Sequence, residues 1–188
     1  MDSKYCYPNT NVLINKLGIR NQDKLCAIES KLTMLRIMEL IDHPISGKFD
    51  FAHLKAIHKY IFQDLYEWAG EIRTVNIAKK DMFCDIRFIE NQAQEIFNQL
   101  QRDIYRDYLD IEDFVDKLAY YISEINALHP FREGNGRAQR EFIRTLAMKN
   151  GYAIHFDRIS KNEMIIASQK SFLLDYSDMK RLIRKCLN

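Results

Sequence analysis

Residues 114–140 read FVDKLAYYISEINALHPFREGNGRAQR, and the reading of this stretch decides the fold. Phe114, Val115, Leu118, Ile122 and Ile125 recur at helical spacing, which predicts a strongly amphipathic helix ending near Leu128. Pro130 disfavours helical geometry at His129, so that helix must stop there. The chain then crosses a tight loop and restarts as a helix around Asn135. The apolar positions Phe142, Ile143, Leu146 and Ala147 carry that second helix to a stop at Asn150-Gly151.

Further helices flank this pair. Asn21 and Asp23 offer caps for a helix through about Leu40. Leu54, Ile57, Ile61, Phe62 and Leu65 define a helix between Asp50 and Tyr66, ended by Trp68-Ala69-Gly70-Glu71-Ile72-Arg73. Ile89, Ala93, Ile96, Phe97, Leu100 and Ile104 mark another. Ser160 and Glu163 form a capping-box pattern, and a last short helix starts after Ser177. The one β signal is Thr74-Val75-Asn76-Ile77, a turn at Lys79-Lys80-Asp81, and a return through Met82-Phe83-Cys84. With 6 Gly and 3 Pro there is little room for the many turns of an all-β fold. The expectation is an all-α fold, mainly a helical bundle, with one small β-hairpin over about 74–84. A single domain over 1–188, with core helices at about 50–175, is expected.

The chain is 47% hydrophobic, with 11 Phe and 10 Tyr, so a packed core is expected rather than disorder. Its 28 basic and 26 acidic residues nearly balance, which argues against a dedicated nucleic-acid binder. The basic residues Lys180, Arg181, Arg184 and Lys185 read as a solvated face near a helix C-terminus. Cys6, Cys26, Cys84 and Cys186 are scattered, without metal-ligand spacing, which fits a reducing cytoplasm. No apolar run approaches the roughly 20 residues that cross a bilayer, and no signal-peptide pattern opens the chain. Neither a membrane nor a nucleic acid is expected as a partner.

The chemistry is concentrated in residues 129–140. Gly134 and Gly136 let phosphate oxygens approach main-chain N–H groups, which sit at a helix N-terminus whose dipole favours anions. A phosphate nest is the natural reading of Gly134, Asn135 and Gly136. Arg137 and Arg140 lie three apart, on one helix face, and two guanidiniums beside a nest suit a polyphosphate. Glu133 would repel that ligand unless a divalent cation bridges them, and Mg²⁺ held by one carboxylate, phosphate oxygens and water answers this. His129 has the pKa range of a general base for an attacking hydroxyl. Taken singly, each residue is ordinary: a structural histidine, a surface acid, a solvated arginine pair, turn glycines. Their coincidence within 12 residues is not. Neither GxxxxGK[ST] nor GxGxxG is matched, and Phe131 reads as a core anchor for the loop.

This segment resembles the signature of the Fic family, HPF-x-[D/E]-G-N-G-R-x-x-R, at every defined position. The resemblance extends to Asn9–Arg20, to Ile57-His58 through Phe62, to Leu65 through Arg73, and to Glu124 and Asn126 before the motif. It implies transfer of AMP from ATP to a Tyr, Thr or Ser hydroxyl of a target protein. By resemblance, His129 is the base, Glu133 holds Mg²⁺ between the α- and β-phosphates, and Gly134, Asn135 and Gly136 form the anion hole. Arg137 contacts the phosphates and Arg140 meets the γ-phosphate. The hairpin is the family's flap, with Asn76, Ile77 and Lys79 as candidates for docking a target segment by β-augmentation. Relatives that act as kinases carry a Lys where this chain has Gly136, so Gly136 supports AMP transfer. Base selection lies in pocket shape outside the motif, so the motif leaves the donor nucleotide open. A pure binding module is the competing class, and an intact His129 argues against it, because binding alone needs no base.

Regulation is read from an absence. The family's inhibitory pattern [S/T]xxxE[G/N] supplies a Glu to the second motif arginine, and no Glu of this chain fits it. The resemblance then implies a toxin restrained in trans by a separate small antitoxin, whose Glu would reach Arg140.

Overall fold

The computed structural model describes residues 4–78, 83–104 and 110–188. Its helices are α1 (Gln22–Asp42), α2 (Phe51–Phe62), α3 (Ile89–Ile104), α4 (Ile111–Leu128), α5 (Asn135–Lys149), α6 (Lys161–Ser171) and α7 (Ser177–Cys186). The all-α expectation holds. Among the described residues no strand forms, and isolated bridges join Cys6 to Leu13 and Ile154 to Leu187.

Helix starts follow side chains that satisfy orphan amides. The side chains of Asn21, Asp50 and Asp110 accept from the N–H groups of Lys24, His53 and Asp113. Ser160 and Glu163 close the expected capping box on α6. α4 ends at His129, a C-cap with φ 45° whose N–H returns to the Ile125 carbonyl. α2 is shorter than its apolar spacing suggests: it stops at Phe62, and the chain passes through turns in which Leu65 N–H bonds the Phe62 carbonyl. Leu65 and Tyr66 still reach the core, so their hydrophobicity reports burial and not helix.

α4 and α5 carry the core. Phe114, Leu118, Ile122, Ile125 and Leu128 of α4 are buried, as are Phe142, Ile143 and Leu146 of α5. α2 packs on α5, α3 and α7 pack on α4, and α1 lies along α2. The loop between α4 and α5 therefore springs from the two most buried helices, which is a rigid mount for a site.

The expected hairpin is only partly visible. Phe83 N–H donates to the Ile77 carbonyl at 3.3 Å, so the chain does turn back, but Lys79 and the turn lie outside the described residues.

Candidate active site

The loop from His129 to Asn135 is held from beneath by side chains. Asn135 bonds the backbone of Phe131 twice: its Oδ1 accepts from the Phe131 N–H at 2.9 Å and its Nδ2 donates to the Phe131 carbonyl at 2.8 Å. The side chain of Asn135 is thus spent on closing the loop, which leaves its main-chain N–H as its contribution to a nest. Phe131 is the expected core anchor, 1% exposed, with its ring stacked 3.8 Å from that of His58. His58 accepts the Gly70 N–H at Nδ1 and meets the Glu133 carbonyl at Nε2, both at 2.9 Å. A carbonyl can only accept, so Nε2 carries the proton and the ring is neutral. Burial pushes the His58 pKa down to about 4, against the raising effect of the Glu133 carbonyl.

The two motif glycines answer to different constraints. Gly134 has φ 78°, and a Cβ there would lie 2.0 Å from the Phe62 ring. The fold itself demands this glycine. Gly136 shows no such need: a Cβ would meet only Nη1 of Arg140, at 3.2 Å. A glycine inside the first turn of a helix costs stability, and the packing around it gives no reason for one here. No side chain caps this end of α5, which keeps its amides available.

His129 is buried, with its ring 3.7 Å from that of Phe83 and nearly parallel to it. Its Nδ1 lies 3.3 Å from the Asn126 carbonyl. A proton on Nδ1 there leaves the lone pair on Nε2, the arrangement a base requires. The Glu133 carboxylate is half exposed, accepts the Gly134 N–H at 2.9 Å through Oε1, and stands 3.7 Å from Arg137.

The arginines differ. Arg137 is engaged: it meets Glu29 of α1 at 2.5 Å, donates to Thr33 Oγ1 at 3.0 Å, and lies 4.6 Å over the Phe62 ring. Tyr66 donates its hydroxyl to the other Glu29 oxygen, and burial with that carboxylate holds the phenol pKa up. Arg140 has no hydrogen bond or ion pair among the described residues, and burial followed by the neighbouring Arg137 cation lowers its pKa. The carboxylate found on this helix face thus meets the first motif arginine and leaves the second open. Glu29 escapes the inhibitory pattern because Leu25 precedes it by four and Ser30 follows.

Two cavities flank the loop. One, of about 580 Å³, runs toward α6 and is lined by His129, Glu133, Gly136, Arg140, Met164 and Phe172 among others. The other, of about 620 Å³, lies between the loop and Val75–Ala78 of the flap. Asn76 and Ile77 border it, but the Asn76 amide is committed to the flap base: it donates to Asp85 and accepts the Ile86 N–H. Glu29, Thr33, His58, Tyr66 and Arg73 were missed as site residues, since each reaches the loop from a distant segment and none stands in a readable spacing.

Residues 48–147 match the Fic/DOC family, and the chain belongs to it. It is 46% identical, over 97% of its length, to protein adenylyltransferase VbhT of Bartonella schoenbuchensis, of which it spans 38%. It is 36% identical to the probable protein adenylyltransferase Fic of Salmonella typhimurium, covering 98% of this chain and 92% of that one. Among solved structures, the N-terminal Fic domain of a VirB-translocated Bep effector of Bartonella quintana, with bound ADP, superposes with a TM-score of 0.90 at 29% identity, over 98% of this chain and 94% of that one. No helix of the described residues is long and apolar enough to cross a membrane.

Proposed function

We propose that this chain is a protein adenylyltransferase that moves AMP from ATP to a Tyr, Thr or Ser hydroxyl of a target protein, working as a single domain over 1–188. The observation that carries this reading is the cavity that His129, Glu133, Gly136 and Arg140 line together. His129 Nε2 takes the proton of the attacking hydroxyl, whose oxygen bonds the α-phosphorus as the bond to the β-phosphate breaks and pyrophosphate leaves. Asn135 and Gly136 present main-chain N–H groups to the phosphates at the start of α5, joined by that of Gly134 once Glu133 Oε1 releases it. Arg140 holds the γ-phosphate, while Arg137, anchored by Glu29, offers its remaining donors to the phosphates.

Glu133 fits Mg²⁺. Its Oε2 is not used by the Gly134 bond, the carboxylate is half exposed, and among the described residues no cluster of three or more His, Cys, Asp or Glu forms a closed metal cage. A lone carboxylate with phosphate oxygens and water is how Mg²⁺ is usually held. Mg²⁺ so bound would neutralise charge on the phosphates.

The target segment pairs with the flap limb at Val75–Ala78, where the second cavity opens toward His129. A small antitoxin restrains the enzyme by placing a Glu on Arg140, which no internal acid occupies among the described residues. A reducing cytoplasm suits the free cysteines. Incubation with cell lysate and labelled ATP tests the assignment: label should pass to protein from α-³²P-ATP and not from γ-³²P-ATP. The reverse pattern would make the enzyme a kinase and overturn the reading of Gly136.

A further inference from the structure

Arg73 is among the largest fully buried side chains of the protein, 2% exposed, and among the described residues no carboxylate pairs with it. Burial accordingly lowers its pKa. A buried cation with no carboxylate in direct contact is costly, even with Asp85 acting on it from a distance, and an apolar side chain would fill the space without that cost. What an apolar residue could not supply is the set of bonds. Arg73 Nε donates to the His129 carbonyl at 2.8 Å, Nη1 to the Val75 carbonyl at 2.8 Å, and Nη2 to the Cys84 carbonyl. Its main-chain N–H donates to the Pro130 carbonyl at 2.8 Å.

These acceptors are not one cluster by sequence. Val75 stands on the outgoing limb of the flap, Cys84 on the returning limb, and His129 and Pro130 at the negative end of α4. Two further contacts tie the same parts: Cys84 N–H donates to the Ala127 carbonyl at 3.0 Å, and the Phe83 ring lies on that of His129. His129 itself holds φ 45°, a conformation an L-residue keeps only when its surroundings enforce it.

We infer that Arg73 is a positioning residue that joins both limbs of the flap to the backbone of His129, so that flap position and imidazole orientation are set as one unit. The inference rests on the reading of His129 as the base and of the flap as the docking edge. A planar guanidinium spreads three donor nitrogens in fixed directions toward three separate carbonyls; an ammonium also has three N–H groups, but they share one nitrogen on a flexible stem and cannot span the same acceptors.

The test uses the full chain labelled with ¹³C-histidine. Phe83 stacked on His129 shifts the His129 ring signal upfield, and the signal is assigned by its loss in His129→Gln. In folded Arg73→Lys that shift should fall by about half or more, while Mg-ATP affinity stays within about twofold, because the nest on α5 is untouched. A wild-type ring signal in folded Arg73→Lys would overturn the inference; general destabilisation would lower the melting temperature without moving it. Should Arg73→Lys fail to fold, the wild type still decides. Its Arg73 Nε–H should exchange with solvent about 100-fold more slowly than those of surface arginines, in step with the Cys84 amide. Exchange at the surface rate would also overturn the inference. These readouts need no turnover, so they stand apart from the chemistry: AMP transfer surviving in His129→Ala would sink the base assignment and leave the coupling intact.

Discussion

The underside of the motif loop and its cavity side are two residues apart in sequence and opposite in character. Beneath the loop, Phe62, His58, Phe131 and Asn135 leave no space, and Gly134 is a glycine because a ring occupies the place of its Cβ. Above it, Gly136 and Arg140 face a cavity, and neither has a partner that explains it within the fold. The lesson is that residues of one motif need not share a reason. Half of this one shapes the backbone, and the other half borders open space.

Substitutions on the two sides should therefore separate stability from activity. The largest effect is expected on the open side: His129→Ala should reduce AMP transfer by about 10²–10⁴-fold, as loss of a general base does. Mg-ATP affinity, measured by calorimetry, should barely change. Equal losses in both would mean that His129 binds rather than transfers protons.

Next comes the underside. Gly134→Ala forces a Cβ against Phe62 and a positive φ on an L-residue, so about 3 kcal/mol or more of stability should go. Thermal or urea unfolding reads this directly, and activity should fall because the loop no longer closes.

His58 gives the underside a pH dependence of similar size. Its pKa in the fold, about 4, is below the ordinary histidine value, so the unfolded chain takes up the proton first. The stabilisation is fully present above about pH 6.5 and is lost as pH falls toward 4, amounting to about 3 kcal/mol. His53, whose pKa burial also lowers, acts in the same direction. Unfolding free energies from pH 7 to 4 should show this slope, and a folded His58→Gln variant should flatten it.

The smallest change in stability is expected at Gly136→Ala. Alanine in a helix is favoured by about 1 kcal/mol over glycine, so the variant should melt at the same temperature or slightly higher. Mg-ATP affinity should nevertheless fall by about tenfold or more, because the Cβ enters the nest. If affinity held, the glycine would have no ligand-based reason.

How much of this could be read from sequence follows the same division. The chemistry-bearing residues of the loop lie within one short stretch, where spacing carries information: Pro130 ends a helix, two glycines open an amide row, and arginines three apart share a face. The helix caps at Asn21 and Ser160 were legible for the same reason, since a cap bonds an amide three residues on. What supports the loop was not. His58, Arg73 and Glu29 act through side chains that cross the core, and nothing in their local spacing marks them. Leu65 and Tyr66 show a subtler limit, because a buried turn after α2 has the same apolar signature as one more helical turn. The flap was legible as a reversal of the chain, but the bonds from the Asn76 side chain to Asp85 and Ile86 at its base were not, because they link residues nine and ten apart.

The bond between Arg137 and Glu29 joins residues 108 positions apart, and that between Arg137 and Thr33 joins residues 104 apart. The Asn135–Phe131 clasp spans only four. On a ribosome, α1 emerges long before its arginine exists, whereas the clasp can close as soon as its own residues are free. Refolding from denaturant should obey the same order, with the local loop forming early and the distant pair late, after the chain has met the entropy of closing a long loop. The protein would thus become structured around its loop before Arg137 is locked, and that interval is set by topology and not by chemistry.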